Sequence, residues 1–107
     1  MTDILELNTA SFESEVLQSS LPVVVDFTAV WCSPCKMLAP VVEQLAQQWD
    51  GKVKVARLDV DYNADVAMQY SVMGVPTLIL FVGGKPVQRL TGYQSKDRIL
   101  AKFSAHV

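Results

Sequence analysis

Short β-branched runs alternate with longer segments of helical periodicity in the first part of this 107-residue chain. The run Val23-Val24-Val25-Asp26-Phe27 is nearly all apolar, which is typical of a central strand covered on both faces. From Pro34 onward apolar residues recur every three or four positions, which predicts a helix to Asp50-Gly51 with a kink at Pro40. A strand over 53–60 follows. Strands separated by helices predict parallel pairing here.

The later part of the chain predicts a hairpin and a closing helix. Asn63 is predicted to cap a short helix through Tyr70. Gly74-Val75-Pro76 then predicts an irregular segment between this helix and the next strand. Two strands joined by a two-residue glycine turn must pair antiparallel. The predicted elements are the strand 77–82, the turn Gly83-Gly84, the strand 87–91 and a helix from its cap at Ser95 to Phe103.

Length and composition favour one α/β domain over residues 1–107. Hydrophobic residues make up 50% of the chain and charged residues 19%, which favours a packed core over disorder. An initial strand and a short helix over 12–17, capped by Asn8 or Ser11, complete the pattern. The predicted architecture is a mixed central sheet with helices on both faces.

Charge and hydropathy exclude two classes of partner. The net charge of −2 offers no basic surface for phosphates, so we expect no nucleic-acid partner. The apolar runs are far shorter than the roughly 20 residues needed to cross a bilayer, so we expect no membrane insertion. The acidic start Met1-Thr2-Asp3-Ile4-Leu5-Glu6 differs from a secretory signal, and we therefore expect a cytoplasmic protein, or an organelle-stroma protein as a mature chain.

The strongest chemical signal is Trp31-Cys32-Ser33-Pro34-Cys35-Lys36 at a predicted strand-to-helix junction. Within one helical turn the sulfurs of Cys32 and Cys35 come close enough for a disulfide. Free N–H groups at the helix start stabilise a Cys32 thiolate, and Pro34 fits the first turn because no donor is needed there. We predict that Cys32 attacks a substrate disulfide, after which Cys35 releases the substrate and closes the Cys32–Cys35 disulfide.

Three other interpretations stay open at this point. A structural zinc site normally takes four protein ligands, whereas the only histidine, His106, lies 71 positions after Cys35. The two cysteines are alternatively inert buried thiols. A third interpretation is a binding module that uses the same face without turnover, which a Cys32→Ser, Cys35→Ser double variant would test.

Residues along nearly the whole chain resemble the thioredoxin family. The matching positions are Asp26-Phe27, Ala29, Trp31-Cys32, Pro34-Cys35-Lys36, Pro40, Asp61, Gly74-Val75-Pro76-Thr77, Gly84 and Gly92. The resemblance implies a thioredoxin fold, with a five-stranded mixed sheet flanked by four α-helices. It also implies a general protein-disulfide reductase, re-reduced by a thioredoxin reductase and acting as a monomer, and the prediction includes no cofactor and no metal.

Asp26 is the anomaly in the apolar strand. Burial there is costly unless the carboxylate is paired or protonated, and it is expected to raise the pKa of Asp26. The resemblance places the matching residue behind the second cysteine, which makes Asp26 a candidate proton acceptor for Cys35. The resemblance also makes Lys36 and Arg57 candidate catalytic residues, beside Cys32, Pro34 and Cys35. The alternative is an Asp at a strand end or turn, paired with Arg57.

The resemblance further implies that Val75-Pro76 is a cis-proline turn beside the cysteines. The Val75 backbone would then pair with an extended substrate segment and bring its disulfide against Cys32. Trp31, Gly74, Val75, Pro76 and Gly92 form the predicted docking surface. The alternatives are that Trp31 belongs to the core and that Gly92 is an ordinary turn glycine.

Three positions near the site depart from the usual family pattern. Ser33 stands where glycine is usual, Thr28 where tryptophan is common, and Arg57 where lysine is usual. The Ser33 hydroxyl adds a donor near the sulfurs, while Thr28 removes a large ring. Because the direction of exchange depends on reduction potential rather than fold, an oxidase or isomerase is the alternative within the same chemistry.

Overall fold

A computed structural model describes residues 4–107, in which five strands and four α-helices follow one another. The elements are β1 (Leu5–Leu7), α1 (Thr9–Phe12), β2 (Val23–Thr28), α2 (Ser33–Gln48), β3 (Lys54–Asp59), α3 (Ala64–Gln69), β4 (Thr77–Val82), β5 (Lys85–Thr91) and α4 (Lys96–Phe103). A π-helical turn, Glu13–Leu17, continues α1, and a 3-10 turn, Ser104–His106, follows α4. Within the described residues no helix is both long and apolar enough to cross a membrane.

The strands form one mixed sheet in the order β1-β3-β2-β4-β5. β1, β3 and β2 run parallel, whereas β4 lies antiparallel to β2 and to β5. This arrangement confirms the predicted five-stranded mixed sheet with four helices. β2 lies at the centre, and its first five residues are buried, as their apolar pattern predicts.

Alternate residues of β2 pack into two different cores, one on each face of the sheet. Val24 joins the cluster formed with α2 and α4, which includes Leu38 and Phe103. Val23, Val25 and Phe27 join the opposite cluster, which contains residues of α1 and α3. Side chains alternate across a strand, so one β-branched run anchors helices on both faces.

α2 begins directly after Cys32, which is its N-cap residue. Leu38, Val42 and Leu45 recur at spacings of four and three and are buried against the sheet. The helix continues as one element through Pro40, the site of the predicted kink, although this residue lacks the N–H group that would bond the Lys36 carbonyl. β2 and α2 together hold the Cys-x-x-Cys segment between two buried elements.

Asn63 occupies the N-cap position of α3, as predicted, but its side chain makes no capping hydrogen bond. Instead its Oδ1 accepts a hydrogen bond from the Thr9 N–H at 2.9 Å, and its Nδ2 donates to the Asp59 carbonyl at 3.0 Å. The amide therefore ties the start of α1 to the end of β3, a long-range role that outweighs the local one.

The predicted two-residue turn Gly83-Gly84 joins β4 and β5, but β5 starts earlier than predicted. Gly83 and Gly84 both have positive φ, as a two-residue type I′ turn requires, and β5 begins at Lys85 rather than at Val87. A Cβ on Gly84 would lie 2.7 Å from the Leu17 carbonyl oxygen. Glycine is therefore required at position 84 for two reasons: the backbone has a positive φ, and the Leu17 carbonyl leaves no room for a Cβ.

Candidate active site

The two cysteines lie where the chain passes from β2 to α2. Cys32 has extended backbone angles, φ −92° and ψ 110°, and its Sγ accepts a hydrogen bond from the Cys35 N–H at 3.2 Å. The Cα atoms of Cys32 and Cys35 are 5.2 Å apart, and the side chains form a disulfide. A sulfur that caps a helix can gain a negative charge there, because free N–H groups point toward it.

Both cysteines are 4% exposed in this oxidised form. They pack with Ala29, Val60 and Val75 in a small cluster separate from the two cores. The Cys32 Sγ lies 3.7 Å from the Val75 carbonyl oxygen. The disulfide contradicts the interpretation of two inert thiols, and the Val75 contact brings the proline turn against the sulfur that is predicted to attack.

No cluster of metal ligands competes for these sulfurs in residues 4–107. Within this part of the chain, no group of three or more His, Cys, Asp and Glu side chains is arranged to hold a metal ion. His106 lies exposed in the turn after α4. Cys32 and Cys35 are bonded to each other instead.

Asp26 is buried in the central strand at 2% exposure. Its Oδ1 has no hydrogen-bond partner among the described residues. Burial raises the pKa of Asp26 from 3.8 to about 6, against the opposing effect of the Arg57 charge and with a smaller contribution from Glu6. The carboxyl therefore titrates near pH 6, well above the range of an exposed aspartate.

Arg57 pairs with Asp26 in the β2–β3 register but forms its ion pair elsewhere. Its Nη1 lies 4.0 Å from Glu6 Oε1, and Glu6 faces it across β1 and β3. The alternative of a strand-end Asp paired with Arg57 is wrong, since Asp26 lies inside β2. The sequence does not single out Glu6, because its proximity to Asp26 arises only from strand order.

A cavity of about 420 Å³ opens beside Cys35. Thr28 and Lys36 line it, together with Glu6, Ala29, Val30, Ala39, Arg57 and Asp59. The short Thr28 side chain leaves space here that a tryptophan ring at the same position would reduce. Lys36, Pro34 and Ser33 are exposed in the first turn of α2. The cavity brings Lys36 and Arg57 to one side of Cys35.

Trp31 is a surface residue, so the alternative that assigns it to the core is wrong. Its side chain is 66% exposed, and its indole Nε1 donates a hydrogen bond to Asp61 Oδ2 at 2.8 Å. The hydrogen bond fixes one edge of the ring while the rest remains available for contact. The orienting role of Asp61 leaves no local signal, because the partners are 30 positions apart.

The proline turn is held by neighbouring hydrogen bonds. The Val75–Pro76 bond is cis, and Thr77 Oγ1 donates to the Gly74 carbonyl at 2.7 Å. The Gly92 N–H donates to the Pro76 carbonyl at 2.7 Å, so Gly92, with φ +83°, links the end of β5 to this turn. Gly74 is exposed and Val75 is half-buried, whereas Pro76 is buried.

A mixed sheet that places a Cys-x-x-Cys disulfide at the start of a long helix defines a dithiol/disulfide oxidoreductase. The Thioredoxin family model matches residues 3–105, and the chain belongs to the thioredoxin family. Thioredoxin 1 of Nostoc sp. is 41% identical over 107 residues, with all of both chains covered. Thioredoxin of Alicyclobacillus acidocaldarius is 46% identical over 100 residues, with 94% of each chain covered.

A larger relative carries a second named activity. The bifunctional thioredoxin reductase/thioredoxin of Mycobacterium leprae is 47% identical over 100 residues, which are 94% of this chain but only 22% of that protein. Family membership and the disulfide confirm the predicted function. The chain is a protein-disulfide reductase that works by reversible dithiol/disulfide exchange through Cys32 and Cys35. The family acts on disulfide substrates and receives electrons from a reductase.

Proposed function

We propose that Cys32 is the attacking nucleophile and Cys35 the resolving thiol of this reductase. The position of the Cys32 sulfur at the N-cap of α2 supports this order, since that position favours a thiolate. Its 3.7 Å separation from the Val75 carbonyl oxygen provides further support, because the disulfide of a substrate bound there would approach Cys32 first. Cys35 lies behind it at the cavity.

The exchange balances as two sulfur substitutions. The Cys32 thiolate attacks one sulfur of the substrate disulfide, forms a mixed disulfide and expels a substrate thiolate. Cys35 then loses its proton and attacks Cys32 Sγ, which expels the second substrate thiolate and forms the Cys32–Cys35 disulfide. The substrate gains two electrons that the dithiol loses.

Asp26 accepts the proton of Cys35 in this scheme. This role is supported by the burial of the Asp26 carboxyl, which raises its pKa to about 6 and so makes it a better proton acceptor than an exposed carboxylate. Pro34 stiffens the first turn of α2, and Lys36 and Arg57 place positive charge at the cavity beside Cys35. These charges favour ionised sulfur and carboxylate groups during the reaction.

The docking surface consists of Trp31, Gly74, Val75, Pro76 and Gly92. An extended substrate segment pairs with the Val75 backbone and contacts the exposed ring of Trp31. The hydrogen bonds at Gly74, Pro76 and Trp31 support this assignment, because they keep the surface in one geometry before substrate binds.

Residues 1–107 act as a single thioredoxin domain and as a monomer. The redox pair and the docking residues belong to one chain, so no second copy is needed to complete the site. A thioredoxin reductase supplies the electrons, in keeping with the pair of activities that the Mycobacterium leprae relative is named for. The compartment is the cytoplasm or an organelle stroma, where thiols are kept reduced.

Replacement of each cysteine tests the order of attack. Cys32→Ser should lower the turnover of a protein disulfide by about three orders of magnitude or more, because the nucleophile is removed. Cys35→Ser should still attack but should accumulate a mixed disulfide with the substrate, visible by non-reducing electrophoresis and mass spectrometry. Circular dichroism of both variants provides the folding control.

The opposite pattern would contradict the assignment. A mixed disulfide that accumulates on Cys35 in the Cys32→Ser variant, while Cys35→Ser shows none, would exchange the two roles. Full turnover by either single variant would exclude the two-cysteine mechanism. A folded Cys32→Ser, Cys35→Ser double variant with unchanged biological activity would favour the binding module.

A further inference from the structure

The end of α3 contains a residue in an unfavourable backbone region. Ser71 has φ +56°, although it carries a side chain. Its N–H donates to the Met68 carbonyl at 3.1 Å, and the Val72 N–H donates to the Ala67 carbonyl at 2.8 Å. This pair of hydrogen bonds is the Schellman pattern, in which glycine is usual at the left-handed position. The turn therefore needs support from outside the helix.

Arg89 provides that support from β5. Its Nη1 donates to the Ser71 carbonyl at 3.1 Å, and its Nη2 donates to the Tyr70 carbonyl. In the strand register Arg89 lies opposite Ile79, which packs in the same core cluster as residues of α3. Carbonyl groups at a helix end carry partial negative charge, and a planar guanidinium binds two of them at once.

The segment Val72–Pro76 leads from this helix end to the docking surface. Arg89 holds the carbonyls immediately before it, and Gly92 holds the Pro76 carbonyl at its other end. Both contacts come from β5 or the residue that follows it. Between them lies the Val75 carbonyl oxygen, 3.7 Å from Cys32 Sγ. The segment that meets substrate is thus attached to the sheet at both ends.

We propose that Arg89 is a positioning residue for protein-disulfide exchange. Its guanidinium keeps Ser71 in the left-handed conformation and thereby fixes the backbone of Val75 for main-chain pairing with an extended substrate. The inference rests on the proposed docking role of Val75. Arg89 touches neither sulfur, so it acts on the recognition of protein substrates rather than on the exchange chemistry itself.

Arg89→Met removes both donors and keeps the aliphatic part of the side chain. The KM for a protein disulfide should rise by about threefold to tenfold with kcat unchanged, as expected for a lost contribution to substrate binding. The rate constant for a small aromatic disulfide should stay the same, because that substrate has no extended segment. Hydrogen exchange of the Val72 amide should accelerate. Arg89→Lys should give an intermediate KM, since it keeps the charge but loses the planar fork.

Two further variants make the test specific. Arg98→Met, which removes another exposed arginine charge, should leave the KM unchanged. In the Ser71→Gly variant, glycine adopts the left-handed conformation without support from Arg89. Arg89→Met should therefore raise the KM much less in that background. An equal rise in both backgrounds would overturn the coupling between Arg89 and Ser71.

Trp31→Ala separates failure of the inference from failure of the docking surface. If Trp31→Ala raises the KM for the protein disulfide and Arg89→Met does not, the positioning role of Arg89 is wrong while the docking surface stands. If neither variant raises it, the docking surface itself is wrong. A loss of kcat with the small disulfide in Arg89→Met would also overturn the inference, because the effect would then reach the redox centre.

Discussion

Asp26 combines a functional position with a cost in stability. Burial raises the pKa of its carboxyl from 3.8 to about 6, so the folded chain keeps this proton to higher pH than the unfolded chain does. Between pH 4 and pH 6 the folded state therefore binds more protons, and its stability falls as pH rises through this window. A difference of about two pKa units corresponds to about 3 kcal/mol once the carboxyl is ionised.

Asp26→Asn removes that ionisation at nearly constant size. At pH 8 the free energy of unfolding of the variant should be about 3 kcal/mol higher than that of the original chain. Below pH 4 the two proteins should be equally stable. Release of the mixed disulfide should slow in the variant and lose its pH dependence near 6, because Cys35 has lost its proton acceptor. Urea unfolding at several pH values and stopped-flow kinetics measure the two effects.

Glu6→Gln is the matched control for this prediction. Glu6 contributes to the raised pKa of Asp26, so its neutralisation should move both pH transitions slightly lower without abolishing either. A stability gain for Asp26→Asn that is the same at pH 3.5 and pH 8 would contradict the assigned titration. A gain that follows pH, combined with an unchanged profile for the release step, would leave the pKa intact and remove the role of Asp26 as acceptor.

Residues differ in how far the sequence alone predicts their roles. A carboxylate inside an apolar run and two cysteines at a strand-to-helix junction are local contradictions of the surrounding pattern, so they can be found from composition and spacing. The roles of Asp61 and Arg89 cannot be found in this way, because their partners Trp31 and Ser71 lie 30 and 18 positions away, respectively. Such contacts arise only after the sheet has brought separate segments together.

Helices and strands are likewise predictable from the sequence where their signals are local. The periodicity of buried residues predicts β2 and α2 well, because each packs through a regular stripe of its own side chains. The sequence pattern does not predict the π-helical turn after α1 or the early start of β5. Pro86 suggests a strand break locally, but β5 is an edge strand with a register shift opposite Leu80 and Phe81, where a proline is tolerated.

The glycine turn between β4 and β5 gives an element-level prediction with an internal control. Gly84→Ala should destabilise the fold by about 2–4 kcal/mol, because φ is +81° and the new Cβ would lie 2.7 Å from the Leu17 carbonyl oxygen. Gly83→Ala has φ +61° but open space around the Cβ, so about 1 kcal/mol is expected. Chemical denaturation of both variants measures the difference. Equal losses would show that the close contact with Leu17 has no energetic role.

At the scale of the whole molecule, the two hydrophobic cores lie on opposite faces of the sheet, and the disulfide belongs to neither of them. One cluster joins the sheet to α2 and α4, and the other joins it to α1 and α3. Cys32 and Cys35 belong to a separate small cluster with Ala29. The alternation of strands and helices predicts the layers and the parallel pairing, whereas the strand order follows from packing between segments distant in the chain.

Reduction should therefore leave the fold intact. The disulfide joins residues three positions apart, and closing so short a loop stabilises a chain by only about 2 kcal/mol. The reduced protein should keep its far-ultraviolet circular dichroism at 25 °C and unfold about 10 °C lower than the oxidised form. The Cys32→Ser, Cys35→Ser double variant should resemble the reduced protein and show no response to dithiothreitol. Loss of the native spectrum on reduction would mean that the redox centre also holds the two cores together, and a chain that unfolded in each cycle could not serve as a repeated electron carrier.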